Sequence, residues 1–161
     1  MIEIESDLNY SDKKRQNMVS LLAKQISESH LMERVILHSF DWVLLSQCEE
    51  FAFGFITSYL MKIKQDNNFE NQQPGCFRGF SKGKNRSAIP AKIFEAGGLV
   101  WCPHFKELSE GSLSSVRKYD LLVFLWTVNE TTDIDMMINL GVDAIVTDTL
   151  TELKIVSHQK E

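Results

Sequence analysis

Four stretches of this chain carry side chains whose type and spacing could do chemistry. At the N-terminus, Met1 to Glu5 alternates apolar and acidic residues, the period of a β-strand, so Glu3 and Glu5 project from one face. Read alone, they are solvated carboxylates on a frayed terminal strand. The second stretch, His38-Ser39-Phe40-Asp41, lies at the outgoing end of a buried strand containing Val35, Ile36 and Leu37. Ser39 or Asp41 reads as the cap of the next helix rather than as a nucleophile. His38 does not alter that, because adjacent residues on a strand point to opposite faces. The third, RGFSKGKNR (Arg78 to Arg86), fails as a phosphate loop: the Gly79–Gly83 spacing is short by one, and Asn85 stands where Ser or Thr would meet magnesium. As a nucleic-acid patch it offers basic residues with Phe77 and Phe80, but over only nine residues. An exposed insertion is the simpler reading. The fourth is His104, a lone loop histidine after Pro103, which reads as a surface or packing residue rather than a base.

Composition narrows the class. The 161 residues allow one domain with a sizeable core but not a complete eight-stranded α/β barrel, which needs about 250. A hydrophobic content of 43% and a charged content of 24% are ordinary for a soluble globular protein. A net charge of −5 argues against a nucleic-acid partner, since no continuous basic surface is implied. Cys48, Cys76 and Cys102 are odd in number, far apart and without a CxxC, so neither a disulfide framework nor a zinc site is indicated. Glu3, Glu5 and Asp7 are incompatible with the basic start of a secretory signal. The longest apolar run, Phe51 to Met61, is too short for a transmembrane segment. A cytoplasmic, reduced setting is expected.

The elements that would position these residues alternate between strand and helix. Asn9 to His30 is a polar segment with Met18, Leu22 and Ile26 on one stripe, a surface helix that Ser11 can cap, with Lys24 and His30 toward its end. Glu33 to Trp42 holds the strand ending in His38. Asp41 to Glu50 is a short helix, and Phe51 to Met61 is a strand candidate. Lys62 to Asn85 has little periodicity, and Pro74-Gly75 marks a turn. Ser87 to Ala96 forms a helix ended by Gly97-Gly98, and GLVWCPHF a strand broken by Pro103. Leu108 to Lys118 is a helix with Ser115 and Arg117 exposed, and Leu150 to Val156 a closing helix.

Asp120 to Asp148 is the most legible part. Leu121 to Val128 is an apolar run suited to a strand buried on both faces. Thr132 and Asp135 form a loose capping box, and Ile134, Met137, Ile138 and Gly141 share a helical face. Gly141 fits the left-handed closing position. Ala144 to Val146 is a second strand, which completes a βαβ unit.

Within this stretch Trp126, Thr127, Val128 and Asn129, followed by Gly141, Val142, Asp143, Thr147 and Asp148, closely resemble the last two barrel strands of the glycerophosphodiester phosphodiesterase family. The resemblance extends outward. MIEIE looks like the family's Ile-Glu-Ile-Lys strand, Ser39-Phe40-Asp41 like the end of its fourth strand, and GLVWCPHF like its sixth. Six βα units, with strands at Glu3, Val35, Phe53, Val100, Phe124 and Ile145, correspond to barrel strands three to eight. The implied fold is an incomplete TIM (β/α)8 barrel of the PLC-like phosphodiesterase type, a single truncated domain over residues 1–161 with an insertion at about 62–86.

On that resemblance Glu3 is a ligand of a divalent metal, calcium or magnesium, and Trp126 lines the mouth of the site against the glycerol moiety. Glu5 stands where the family carries a catalytic lysine, which reverses a charge beside the phosphate. The family's first two strands bring His-Arg-Gly, a Glu-x-Asp metal pair and His-Asp. None of His30, His38, His104 and His158 is followed by Arg-Gly or by Asp. No catalytic residue is therefore assigned. The implied function is phosphoric diester hydrolysis in glycerophospholipid metabolism, with a glycerophosphodiester substrate if the barrel is complemented, and inactivity of this chain alone. The missing strands would come from another chain or a homodimer. The alternative is a non-catalytic barrel remnant or partner-binding fragment.

Overall fold

The computed structural model describes residues 1–7, 9–51, 54–62 and 88–150. The insertion after Lys62, the RGFSKGKNR stretch, Cys76, His158 and all but the first residue of the expected closing helix lie outside them.

Six strands form one sheet in the order β1 (Ile2–Glu3), β2 (Ile36–Ser39), β3 (Ile56–Met61), β4 (Val100–Pro103), β5 (Leu122–Leu125) and β6 (Ala144–Ile145). Every neighbouring pair is parallel. Parallel neighbours need crossovers, and α1 (Asp12–Glu28), α2 (Trp42–Phe51), α3 (Ile89–Glu95), α4 (Glu110–Arg117) and α5 (Thr131–Leu140) lie in the five connections. Residue alternation divides the sheet. Leu37, Tyr59, Trp101, Val123 and Leu125 face the helices, where they pack with Val19, Ile26, Leu44, Leu45, Ile93, Val116, Ile134 and Met137. The opposite, inner face carries His38, Ser58 and Val100 in register with Glu3.

The sheet is strongly curved. Phe40, just past β2, meets Trp126, just past β5, with ring centroids 5.5 Å apart. Those strands are three intervals apart, about 14 Å on a flat sheet. Such contact across the inner side requires the outgoing ends to curl toward one another.

Local chemistry explains most boundaries. Ser11 caps α1 by accepting from Lys14 N, and His30 closes the turn after it at φ 55. Asp41 caps α2 through Leu44 N at 3.1 Å, as expected of it. Ser109 and Ser112 build a capping box at α4. Gly141, at φ 79, ends α5 in the left-handed region open to glycine.

Several boundaries differ from the sequence reading. Phe51 belongs to α2, and the third strand opens only at Ile56, after Gly54 turns the chain at φ 101. The α5 helix starts at Thr131 with Glu130 as N-cap and no side-chain cap bond, so Thr132 lies inside it. The β5 strand is covered on one side only: Val123 and Leu125 are buried, while Leu122 on the inner face is 40% exposed. Arg117 is not a free surface cation. Its guanidinium binds Asp143, Leu121 O and Gly141 O, joining the end of α4 to the turn before β6.

Candidate active site

All six strands run the same way, so their last residues share one end of the sheet. Glu3 ends β1, Ser39 ends β2, and His104 and Trp126 follow β4 and β5 as a bridged parallel pair. The two residues given roles by resemblance, Glu3 and Trp126, are thus both at the outgoing end and on the inner face.

Trp126 is held from several sides. Its indole N–H donates to Cys102 O at 2.9 Å. Phe40 and His104 meet its ring edge-on, at centroid distances of 5.5 and 5.4 Å. The Lys62 ammonium lies 5.6 Å from the ring centroid, within cation–π range. His104 also stacks on Phe105 at 5.0 Å. Burial and the charges of Lys62 and Lys106 all hold the His104 pKa below its ordinary value. The mouth is therefore aromatic and flanked by two lysines.

The floor next to β1 is different. Glu3 and Glu5 are exposed, and burial followed by the Glu5 charge raises the Glu3 pKa. In register beside Glu3, His38 is buried and its Nδ1 lies 2.9 Å from Ser58 Oγ. Burial, then the terminal ammonium, lowers its pKa to about 4. The Cys102 thiol comes next in the row. Burial pushes it up to about 12, against a hydrogen bond with Ser58 and with help from the Glu3 charge.

Ser39 and Asp41 are occupied by structure. Ser39 Oγ donates to Ile4 O at 2.7 Å and accepts from Asp41 N at 3.0 Å, which leaves no role as a nucleophile. Asp41 Oδ2 accepts from Ser6 Oγ and from Arg15 Nε, each at 2.6 Å. Burial alone would raise the Asp41 pKa; the bonds from Ser6, Arg15 and Leu44 N, with the guanidinium charge, lower it below the ordinary value. Arg15 also donates to Tyr10 O. This buried node clamps the β1–α1 loop, which follows Glu3 and carries Glu5.

The far side of the mouth is closed by the residues that end β5 and β6. Asn129 Oδ1 accepts from Asp148 N and Thr147 Oγ1 at 3.0 and 3.2 Å, and Asn129 Nδ2 donates to Asp148 Oδ2 at 3.1 Å. Thr149 Oγ1 donates to Asn129 O at 3.0 Å. These side chains bracket two strand ends rather than offering free groups to a ligand.

Residues 1–152 match the model of the Glycerophosphoryl diester phosphodiesterase family. The chain belongs to that family. It is similar to the solved structure of a Silicibacter pomeroyi DSS-3 protein assigned as a glycerophosphoryl diester phosphodiesterase, with 28% identity and a TM-score of 0.81, covering 98% of this chain and 49% of that one. A glycerophosphodiester phosphodiesterase from Parabacteroides distasonis ATCC 8503 shares the fold at 17% identity and a TM-score of 0.70, covering 99% and 56%. So does an Oleispira antarctica phosphodiesterase solved with its product sn-glycerol-3-phosphate, at 11% identity and a TM-score of 0.71, covering 97% and 53%. No curated protein matches. The chain spans about half the length of these solved relatives. Its fold is an incomplete TIM barrel of about six βα units, with the candidate site at the end where such barrels carry their chemistry.

The family implies a divalent metal. Glu3 offers a suitable oxygen donor, exposed and directed to the inner face. Calcium takes six to eight oxygen ligands, and among the described residues no group of three or more His, Cys, Asp or Glu could hold an ion. The donor type fits; the donor number does not suffice. Among the described residues, no helix is long and apolar enough to cross a membrane.

Proposed function

We propose that this chain forms part of a glycerophosphodiester phosphodiesterase site, as a single truncated domain over residues 1–161, and is inactive by itself. The observation that carries the reading is the common placement of Glu3 and Trp126. Both lie at the outgoing end and on the inner face of a curled parallel sheet whose sequence belongs to the family. In this reading Glu3 supplies one ligand to a calcium or magnesium ion. That ion, when bound, takes up charge on the phosphoryl oxygens. Trp126, fixed by Cys102 O and flanked by Phe40 and His104, walls the glycerol moiety. Lys62 adds positive charge beside it.

Inactivity follows from chemistry rather than from fold. Departure of an alkoxide needs an acid to protonate it. Ser39 is bonded to backbone, His38 is buried, and His104 packs in the aromatic mouth. The other ligands and the acid come from polypeptide outside these residues, in a cytoplasmic setting. Glu5 is the residue that favours the alternative, a non-catalytic remnant or partner-binding fragment, because it puts negative charge beside the phosphate position.

The test is a complementation assay. Mixed with a polypeptide supplying the two histidine motifs and the acidic metal pair, the chain is expected to hydrolyse glycerophosphocholine. Glu3→Gln should abolish that activity and Trp126→Ala should raise KM. If the two polypeptides associate and no turnover appears, the phosphodiesterase reading fails and the non-catalytic alternative stands.

A further inference from the structure

The outgoing end of the sheet gathers Phe40, His104, Phe105 and Trp126 into an aromatic wall. Such walls recognise quaternary ammonium groups through their ring faces. Here cations of the chain itself already sit over two of the rings. The Lys62 ammonium lies 5.6 Å from the Trp126 centroid, and the Lys106 ammonium 5.6 Å from the Phe105 centroid. The backbone ties both lysines to the wall. Met61, just before Lys62, accepts from His104 N at 2.9 Å; Phe105, just before Lys106, donates its N–H to Trp126 O at 3.0 Å. Lys106 N donates to His104 Nδ1 at 3.3 Å, on the ring that stacks against Phe105. The loops that leave β3, β4 and β5 are thus stitched side by side. Among the described residues neither ammonium is in a salt bridge with a carboxylate.

A further cation brought to this wall is repelled by both ammonium groups. An anion is attracted by both and has no carboxylate to displace. We propose that Lys62 and Lys106 form a subsite for a second phosphoryl group, carried by the glycerol moiety that lies against Trp126. The preferred substrates are then glycerophosphodiesters whose glycerol bears a further phosphate. Glycerophosphocholine has one phosphate, so in that pose it leaves both ammonium groups unmet, and in the reversed pose its choline is repelled. It remains a substrate, but a weaker one. The inference rests on Trp126 walling the glycerol position, and it names the substrate class of that same site.

The experiment follows the Trp126 indole N–H by proton–nitrogen NMR of the full chain during titration, a readout that needs no turnover. The probes are glycerophosphocholine, bis(glycerophospho)glycerol (whose central glycerol carries two phosphates) and inorganic phosphate. The two-phosphate diester is expected to shift the indole resonance and to bind at least about 5-fold tighter than glycerophosphocholine, the scale of two exposed ion pairs. The preference should vanish in the double variant Lys62→Gln, Lys106→Gln. It should also vanish in wild type at about 1 M salt, where the Debye length is roughly 3 Å. Equal affinity for the two diesters, or tighter binding of glycerophosphocholine, would overturn the proposal, and neither result requires a variant to fold. An indole shift common to both diesters would leave the Trp126 reading standing. A preference that survives the double substitution would also overturn the proposal. So would inorganic phosphate binding as tightly as the two-phosphate diester, because the glycerol would then contribute nothing. No indole shift with any probe would overturn both readings.

Discussion

Replacing Arg15 by Met removes a charge from the most buried ionic contact described in the fold. The side chains of Arg15 and Asp41 are 1% and 5% exposed, and Nε and Oδ2 are 2.6 Å apart. The range for exposed pairs, about 0–1 kcal/mol, does not apply here. Breaking a buried pair by removing one partner costs about 3–5 kcal/mol. Asp41 keeps its bonds from Ser6 and Leu44 N in the variant, and Met refills part of the stem volume. The lower end, about 3 kcal/mol, is therefore expected, or roughly 6–12 °C in Tm for a chain of this length. Urea unfolding of the single variants Arg15→Met and Asp41→Asn and of the double variant measures the coupling. A value near zero, or a loss below about 1 kcal/mol for Arg15→Met, would refute the assignment. The pH dependence gives an independent check. The folded pKa of Asp41 is depressed, so its contribution is present above the unfolded value of about 3.9. That contribution fades as pH falls below that value toward the folded one. The stability gap between wild type and Arg15→Met should narrow in that window.

Other outcomes follow from single contacts. A Cβ at Gly98 would lie 2.3 Å from Tyr59 Cε2 and 2.8 Å from Ile93 Cγ2; Gly98→Ala should cost about 1–3 kcal/mol in urea unfolding. Burial, with the Glu49 charge for Cys48 and the Glu3 charge for Cys102, pushes both thiols up to about 12. Peptide mapping after iodoacetamide at pH 7.5 or so should find both unmodified in native protein and both alkylated in urea. Asp143 accepts from Val123 N at 2.6 Å and from Arg117 at 2.7 Å; Asp143→Ala should cost about 1–2 kcal/mol, and faster amide exchange at Val123 would locate the loss.

The order of elements was readable because each strand and helix has its own apolar period. Ile134, Met137 and Ile138 were placed correctly for that reason. Gly141 was placed by its conformational freedom. What the sequence concealed was set by tertiary contact. Arg15 sits in a polar helix and reads as a surface cation; only the approach of Asp41, 26 residues away, makes it a buried one. Leu121 to Val128 read as buried on both faces because an apolar run carries no information on whether a second layer exists. The resemblance singled out Glu3 and Trp126, and both lie at the outgoing end of the inner face. Asn129, Thr147 and Asp148, which carried much of that resemblance, turn out to fasten strand ends. Phe40 and Lys62 were not singled out as site residues. Phe40 follows His38 by two and Lys62 follows Ser58 by four, so strand alternation was the signal that could have placed both on the inner face.

The most direct measurement is a metal-dependent hydrolysis assay on the purified 161-residue chain with glycerophosphocholine and saturating calcium or magnesium. No choline or glycerol phosphate should be released above the rate with metal alone. Release that Glu3→Gln abolishes would contradict the claim that this chain lacks a complete catalytic set.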